Sequence, residues 1–193
     1  AFSSYCSRKA PFSQSRELAE RQYPIHSRPM RILGIDPGLA TVGIGLTEVL
    51  RPGDAPSVIE WLTIETQAGT DMPVRLAEIA KDLREYLDDT KPDLAVVERL
   101  FFQTNRRTAF DVAQARGVIL SVLGERNIRV VEPTPLELKH AITGDGTADK
   151  RQMQDMVVRT LKLTSIPTPD DAADALALSL YGASMCHRLN LVA

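Results

Sequence analysis

Histidine and cysteine are scarce in this chain, with three and two among 193 residues. Cys6 and Cys186 stand far apart, without metal-ligand spacing, and no histidine or cysteine cluster offers a zinc site. Two such thiols read as reduced cysteines of a cytoplasmic protein rather than as a disulfide framework. Long apolar runs are missing too, so no segment reads as membrane-spanning. Aromatics make up only 5%, yet a 44% hydrophobic content is enough to bury a real core.

Positive charge is in short supply where a nucleic-acid binder would need it. Residues 1–29 carry Arg8, Lys9, Arg16, Arg21 and Arg28 against Glu17 and Glu20, a net of +3. The whole chain is −2, which leaves −5 on residues 30–193. A nucleic-acid partner would therefore require local basic patches and bound cations. The segment 1–29 has six serines and no apolar period, and reads as a basic, disordered extension. Met30 directly precedes the first strand pattern. The folded domain is expected over 30–187, with a short tail over 188–193.

The hydrophobic pattern predicts strands over 31–36, 42–49 and 57–66, the first two joined by a tight turn at Pro37-Gly38. A helix follows over 72–89, with Leu76, Ile79, Ala80, Leu83 and Leu87 on one stripe and Asp71 as its cap. Then come a short buried strand over 93–98, a long helix over 107–126 and a fifth strand over 128–131. Thr134-Pro-Leu-Glu137 is a capping box that opens a short helix ending at Gly144. Two more helices are expected near 148–162 and 170–187. This order is α/β, with a mixed, partly parallel five-stranded sheet and helices on both faces.

Four carboxylates stand out by position. Asp36 closes the first strand, and Glu98 closes the apolar Leu94-Ala-Val-Val, both at strand ends of the kind where open sheets place ligands. In Thr168-Pro-Asp-Asp-Ala-Ala-Asp, Thr168 can cap the last helix and Pro169 fits its first position. Asp170 and Asp171 suit the positive helix start, but Asp174 lies a turn further in, among alanines. Asp171 and Asp174 are about 60° apart around the axis, and Asp170 and Asp174 about 40°, so spacing does not choose between these pairs. Hard Mg²⁺ prefers such oxygen ligands, and carboxylates from separate elements can hold two ions ~4 Å apart for phosphodiester hydrolysis.

In the order Ile35-Asp-Pro-Gly, Val97-Glu98 with Phe101-Phe102, Gln114-Ala-Arg-Gly-Val, Lys139, Asp149-Lys150 and Asp171-Ala-Ala-Asp-Ala-Leu-Ala, the chain resembles the bacterial RuvC family of Holliday junction resolvases over about residues 31–186. The resemblance implies an RNase H-like fold and a homodimer that makes paired symmetric nicks in four-way junctions, leaving 5′-phosphate and 3′-hydroxyl ends. It implies Asp36, Glu98, Asp171 and Asp174 as catalytic ligands of two Mg²⁺ ions, with Mn²⁺ as a substitute, and leaves Asp170 as a helix-start residue. A branch-migration helicase complex of RuvA and RuvB is the implied partner. The chain departs from the family pattern in its N-terminal extension, in Arg99 and in its short C-terminal end.

The loop after Glu98 interleaves Arg99, Arg106 and Arg107 with Phe101 and Phe102, a mixture that can hold phosphates while a ring stacks on an unpaired base. By resemblance Phe101 is the wedge and Phe102 its less certain neighbour, and Lys139 and Lys150 approach the scissile phosphate. Arg151 and His140 have weaker claims. The two-fold partner is expected along helix 107–126, where Ala109, Val112, Ala113, Val118, Ile119 and Val122 exceed one packing stripe and Ala113 and Gly117 allow close approach. An actin-like ATPase opens on a similar strand and turn, but would need a second phosphate loop that this domain lacks. A non-catalytic junction-binding module would not need all four carboxylates.

Overall fold

Successive residues of a strand point to opposite faces of a sheet, and β1 (Met30–Asp36) uses both faces for burial. In the computed structural model, which describes residues 28–51, 53–99 and 106–186, β1 is the central strand of five. The other strands are β2 (Thr41–Val49), β3 (Ser57–Glu65), β4 (Leu94–Val97) and β5 (Arg129–Val131), in the order β3-β2-β1-β4-β5. Pairing is antiparallel across β3-β2-β1 and parallel across β1-β4-β5. The meander and the two parallel crossovers thus give one mixed sheet, as the element order implied.

Leu33, Ile35, Ala95 and Val97 point to one face. There they meet α1 (Met72–Thr90), through Ile79, Leu83 and Leu87, and α2 (Arg106–Glu125), through Ala115, Ile119 and Leu123. Met30, Ile32, Leu94 and Val96 point to the other face, under α3 (Pro135–Thr143), α4 (Lys150–Leu161) and α5 (Asp170–Met185). Helices therefore cover both faces. Cys186 is a buried free thiol; Cys6 lies outside the described residues. Among the described residues no helix is long and apolar enough to cross a membrane.

Most element ends fall within two residues of expectation, and the caps differ in informative ways. Thr134 and Glu137 form the expected reciprocal capping box. Asp149 and Gln152 form a second one, which sets the start of α4 at Lys150 rather than near Ala148. Asp71 stands at the N-cap of α1 but makes no side-chain cap bond, because its main-chain carbonyl takes the N–H groups of Val74 and Arg75. Pro169, not Thr168, is the N-cap of α5, so the helix begins on Asp170.

Candidate active site

Asp36 and Glu98 come together because β1 and β4 are parallel neighbours in register. Ile35 pairs with Val97, so each carboxylate follows at the next position. Gly34, Asp36, Val96 and Glu98 fall on the same face by alternation, and that face is the one α5 covers. Glu98 lies just past the ladder and is still held on both sides. Its carbonyl accepts from Arg116 Nε at 2.9 Å, and the next N–H, of Arg99, donates to the Pro133 carbonyl at 2.9 Å.

Helix α5 lies unusually close to this sheet. A Cβ on Gly34 would stand 1.9 Å from the Ala175 carbonyl oxygen, and one on Gly43 2.0 Å from that of Asp171. Only residues without Cβ allow this approach, which lays the first turn of α5 over the ends of β1 and β2. Asp174, one turn in, enters a cleft of about 300 Å³ with Asp36, Glu98, Lys139 and Lys150. Asp171 acts on Asp36 through its charge, whereas Asp170 turns to α4, where its carboxylate meets Lys150 Nζ at 2.9 Å and Gln154 Nε2 at 3.3 Å.

The electrostatics of the cleft are those of crowded anions. Burial, then repulsion from Asp174, Glu98 and Asp171, pushes Asp36 up to about 7, with Lys150 opposing. Glu98 is also raised, by burial and by Asp174, with Lys139 opposing. Burial raises Asp174 too, against the pull of Lys150, whose Nζ lies 3.5 Å from its carboxylate. A cation between like charges would relieve this repulsion. The ammonium of Lys150 supplies part of that relief.

The donor set itself suits a hard divalent cation: oxygen ligands from the ends of β1 and β4 and the first turns of α5, with no sulfur or imidazole among them. Among the described residues no three Asp, Glu, His or Cys side chains are already gathered as a closed ligand group.

Of the expected DNA-facing residues, Lys139 and Lys150 line the cleft beside the carboxylates. Arg151 is exposed on the first turn of α4 and is not among the residues lining the cleft. Arg99 is exposed and acts on Glu137 rather than on the carboxylates. His140 is exposed and borders a separate hollow with Leu136, Glu137 and Tyr181. Phe101 and Phe102 lie outside the described residues, as do the side chains of Arg106 and Arg107.

Residues 32–182 match the family model of crossover junction endodeoxyribonuclease RuvC. The chain belongs to the RuvC family. RuvC of Chloroflexus aggregans is 47% identical over 158 residues, which is 82% of this chain and 92% of that relative. Thermus thermophilus RuvC superposes with a TM-score of 0.76 at 29% identity, covering 84% of this chain and 98% of that one. The same bacterium's RuvC in complex with a Holliday junction substrate gives a TM-score of 0.76 at 28% identity, covering 84% and 97%. The five-stranded mixed sheet described above is thus the RNase H-like fold of RuvC.

Sequence reasoning passed over three features of this RuvC-family site. The glycines of β1 and β2 drew no reading of their own, although a glycine within an apolar strand is a known sign of close backbone approach. Asp170 is the helix-start residue that was expected, and it also pairs with Lys150. Arg116 stood out only within its motif; a cation within an apolar helix was the available signal that its charge is matched by a partner.

Proposed function

We propose that this chain is a metal-dependent endonuclease that resolves four-way DNA junctions by paired symmetric nicks, acting in recombination and repair. The observation that carries the reading is the meeting of Asp36, Glu98 and Asp174 in one cleft with Lys139 and Lys150, with Asp171 close enough to act on Asp36. Asp36, Glu98, Asp171 and Asp174 would hold two Mg²⁺ ions, or Mn²⁺ in their place. When bound, such ions activate a water and stabilise the departing 3′ oxygen. Lys139 on α3 and Lys150 on α4 both line the cleft, where they can hold the phosphate at the carboxylates. Of the loop residues, Phe101 is the proposed stacking wedge, with Phe102, Arg99, Arg106, Arg107 and, from α4, Arg151 as outer DNA contacts. A cytoplasmic branch-migration complex of RuvA and RuvB is the proposed source of the junction.

Two opposed nicks need two active sites related by a two-fold axis, so the acting species is proposed to be a homodimer. The support lies on α2. Phe110, Gln114, Gly117, Ser121 and Gly124 are exposed at alternating spacings of four and three, the period of a two-helix seam, and Phe110 is 71% exposed. A shallow groove lined by Leu76, Ala80, Val118 and Val122 runs beside them. Ala113, the small residue singled out from the sequence, is half-buried and flanks this stripe instead of lying on it.

The test is a synthetic four-way junction incubated with Mg²⁺ or with chelator. Paired nicks at symmetric positions, only with Mg²⁺, are expected. Metal-independent cutting, or binding without cutting, would remove the proposal.

A further inference from the structure

Arg116 is an arginine whose side chain is only 15% exposed, in the middle of a helix that otherwise packs apolar residues on the sheet. Burying a guanidinium is costly unless its donors are matched, and here they are matched in a particular way. Nε donates to the main-chain carbonyl of Glu98 at 2.9 Å, and Nη2 pairs with the Glu132 carboxylate just past β5. One planar group thus joins three elements: the end of β4, the end of β5 and the middle of α2.

We infer that Arg116 is a positioning residue for Glu98, fixing the peptide that carries its carboxylate while Glu132 cancels the charge of the guanidinium. The inference rests on the proposed role of Glu98 as a metal ligand. The geometry explains why both partners are present. Glu98 lies one residue past the β4 ladder, where its main-chain groups would be free to swing. The Pro133 carbonyl holds the N–H that follows, and Arg116 holds the carbonyl, so the Glu98–Arg99 peptide is pinned at both polar atoms. A bare arginine at this spot would add a positive charge beside a site built to attract cations. Paired with Glu132, it leaves the Glu98 carboxylate to respond to the charges of the cleft, Asp36, Asp174 and Lys139. A fork-shaped donor is needed, because a lysine ammonium cannot hold the carbonyl and the carboxylate in one plane.

The experiment compares Arg116→Gln, Arg116→Lys and Glu98→Gln with wild type in three measurements. These are single-turnover cutting of a four-way junction, junction binding in chelator, and Mn²⁺ binding without DNA, followed by loss of the free-ion spin-resonance signal. Outer-shell partners of metal ligands are worth roughly 10- to 100-fold in affinity or activity. Arg116→Gln is expected to weaken Mn²⁺ binding and slow cutting within that range, with junction binding unchanged. Arg116→Lys is expected to restore only part of the loss. Should Arg116→Gln fail to fold, the lysine variant decides alone, by a weakened Mn²⁺ isotherm at unchanged junction affinity. Normal Mn²⁺ binding and cutting in a folded Arg116 variant, with Glu98→Gln inactive, overturns the positioning role while leaving the ligand set standing. Full activity in Glu98→Gln overturns the reading beneath it.

Discussion

Gly43 lies directly under the first turn of α5, so that a Cβ on it would come within 2.0 Å of the Asp171 carbonyl oxygen. The atom it would meet is backbone, which cannot rotate aside as a side chain could. Gly43→Ala is therefore expected to lift the start of α5 and carry Asp171 and Asp174 with it. Overpacking costs on the order of 1–3 kcal/mol, and misplacement of about 1 Å near reacting atoms costs on the order of 100-fold in rate. Thermal unfolding and junction cutting should both fall, with cutting falling further. Wild-type rates in Gly43→Ala would mean that the helix start does not set the site.

Asp36→Asn and Asp174→Asn should each abolish cutting while leaving junction affinity in place, because each keeps the shape of the side chain and removes ligand charge. Gel-shift binding in chelator, run beside the cutting assay, separates the two effects. Near-normal cutting in either variant would sink the proposed ligand set.

Stability should depend on pH in a direction set by Asp36. The folded chain holds the Asp36 proton up to about 7, whereas the unfolded chain releases it near 3.8. Between those values the native state binds more protons, so stability is fully present below the lower one and is lost as pH rises through the upper one. The loss is at most about 4 kcal/mol, and Asp36→Asn should remove it. Denaturant midpoints at pH 5 and pH 8 in chelator capture roughly 3 kcal/mol of it, and Mg²⁺ should recover part of the loss at pH 8. Equal slopes with pH for wild type and Asp36→Asn would show that Asp36 is not strained in this way.

Gly117→Glu should split the proposed dimer without harming the monomer. Nothing lies within 4 Å of a Cβ at Gly117, and replacing a helix-interior glycine gains roughly 0.5–1 kcal/mol of intrinsic helix preference. Sedimentation should show monomers that unfold no earlier than wild type and make only uncoupled nicks. A variant that stays dimeric places the two-fold axis elsewhere than α2.

The sequence made strand ends, helix stripes and the Thr134 capping box legible, because each depends on residues only a few positions apart. It placed Asp36 and Glu98 at strand ends but could not say that those strands are neighbours, since register is a tertiary fact. The choice between Asp170 and Asp171 shows the limit most clearly. Helical angles left both open, and what separates them lies outside the helix: Lys150 of α4 pairs with Asp170, whereas Asp171 acts on Asp36 at the end of β1. The same limit applies to Ala113. Periodicity found a helix with apolar residues to spare, but only packing shows which of them α1 and the sheet already use.

The placement of Asp171 and Asp174 on α5 also orders events during synthesis. Helix α5 follows every other described element along the chain, and ten of its sixteen residues are buried. Domains emerge from the ribosome N-terminal part first, so the sheet must wait with one face uncovered until this helix arrives. Until then half of the proposed ligands are missing, and a partly made chain is an incomplete fold without the proposed metal site. If that site is the one that cuts, nuclease competence and completion of the core become one event, and any lesion that stops α5 from docking should yield an aggregation-prone chain rather than a misdirected nuclease.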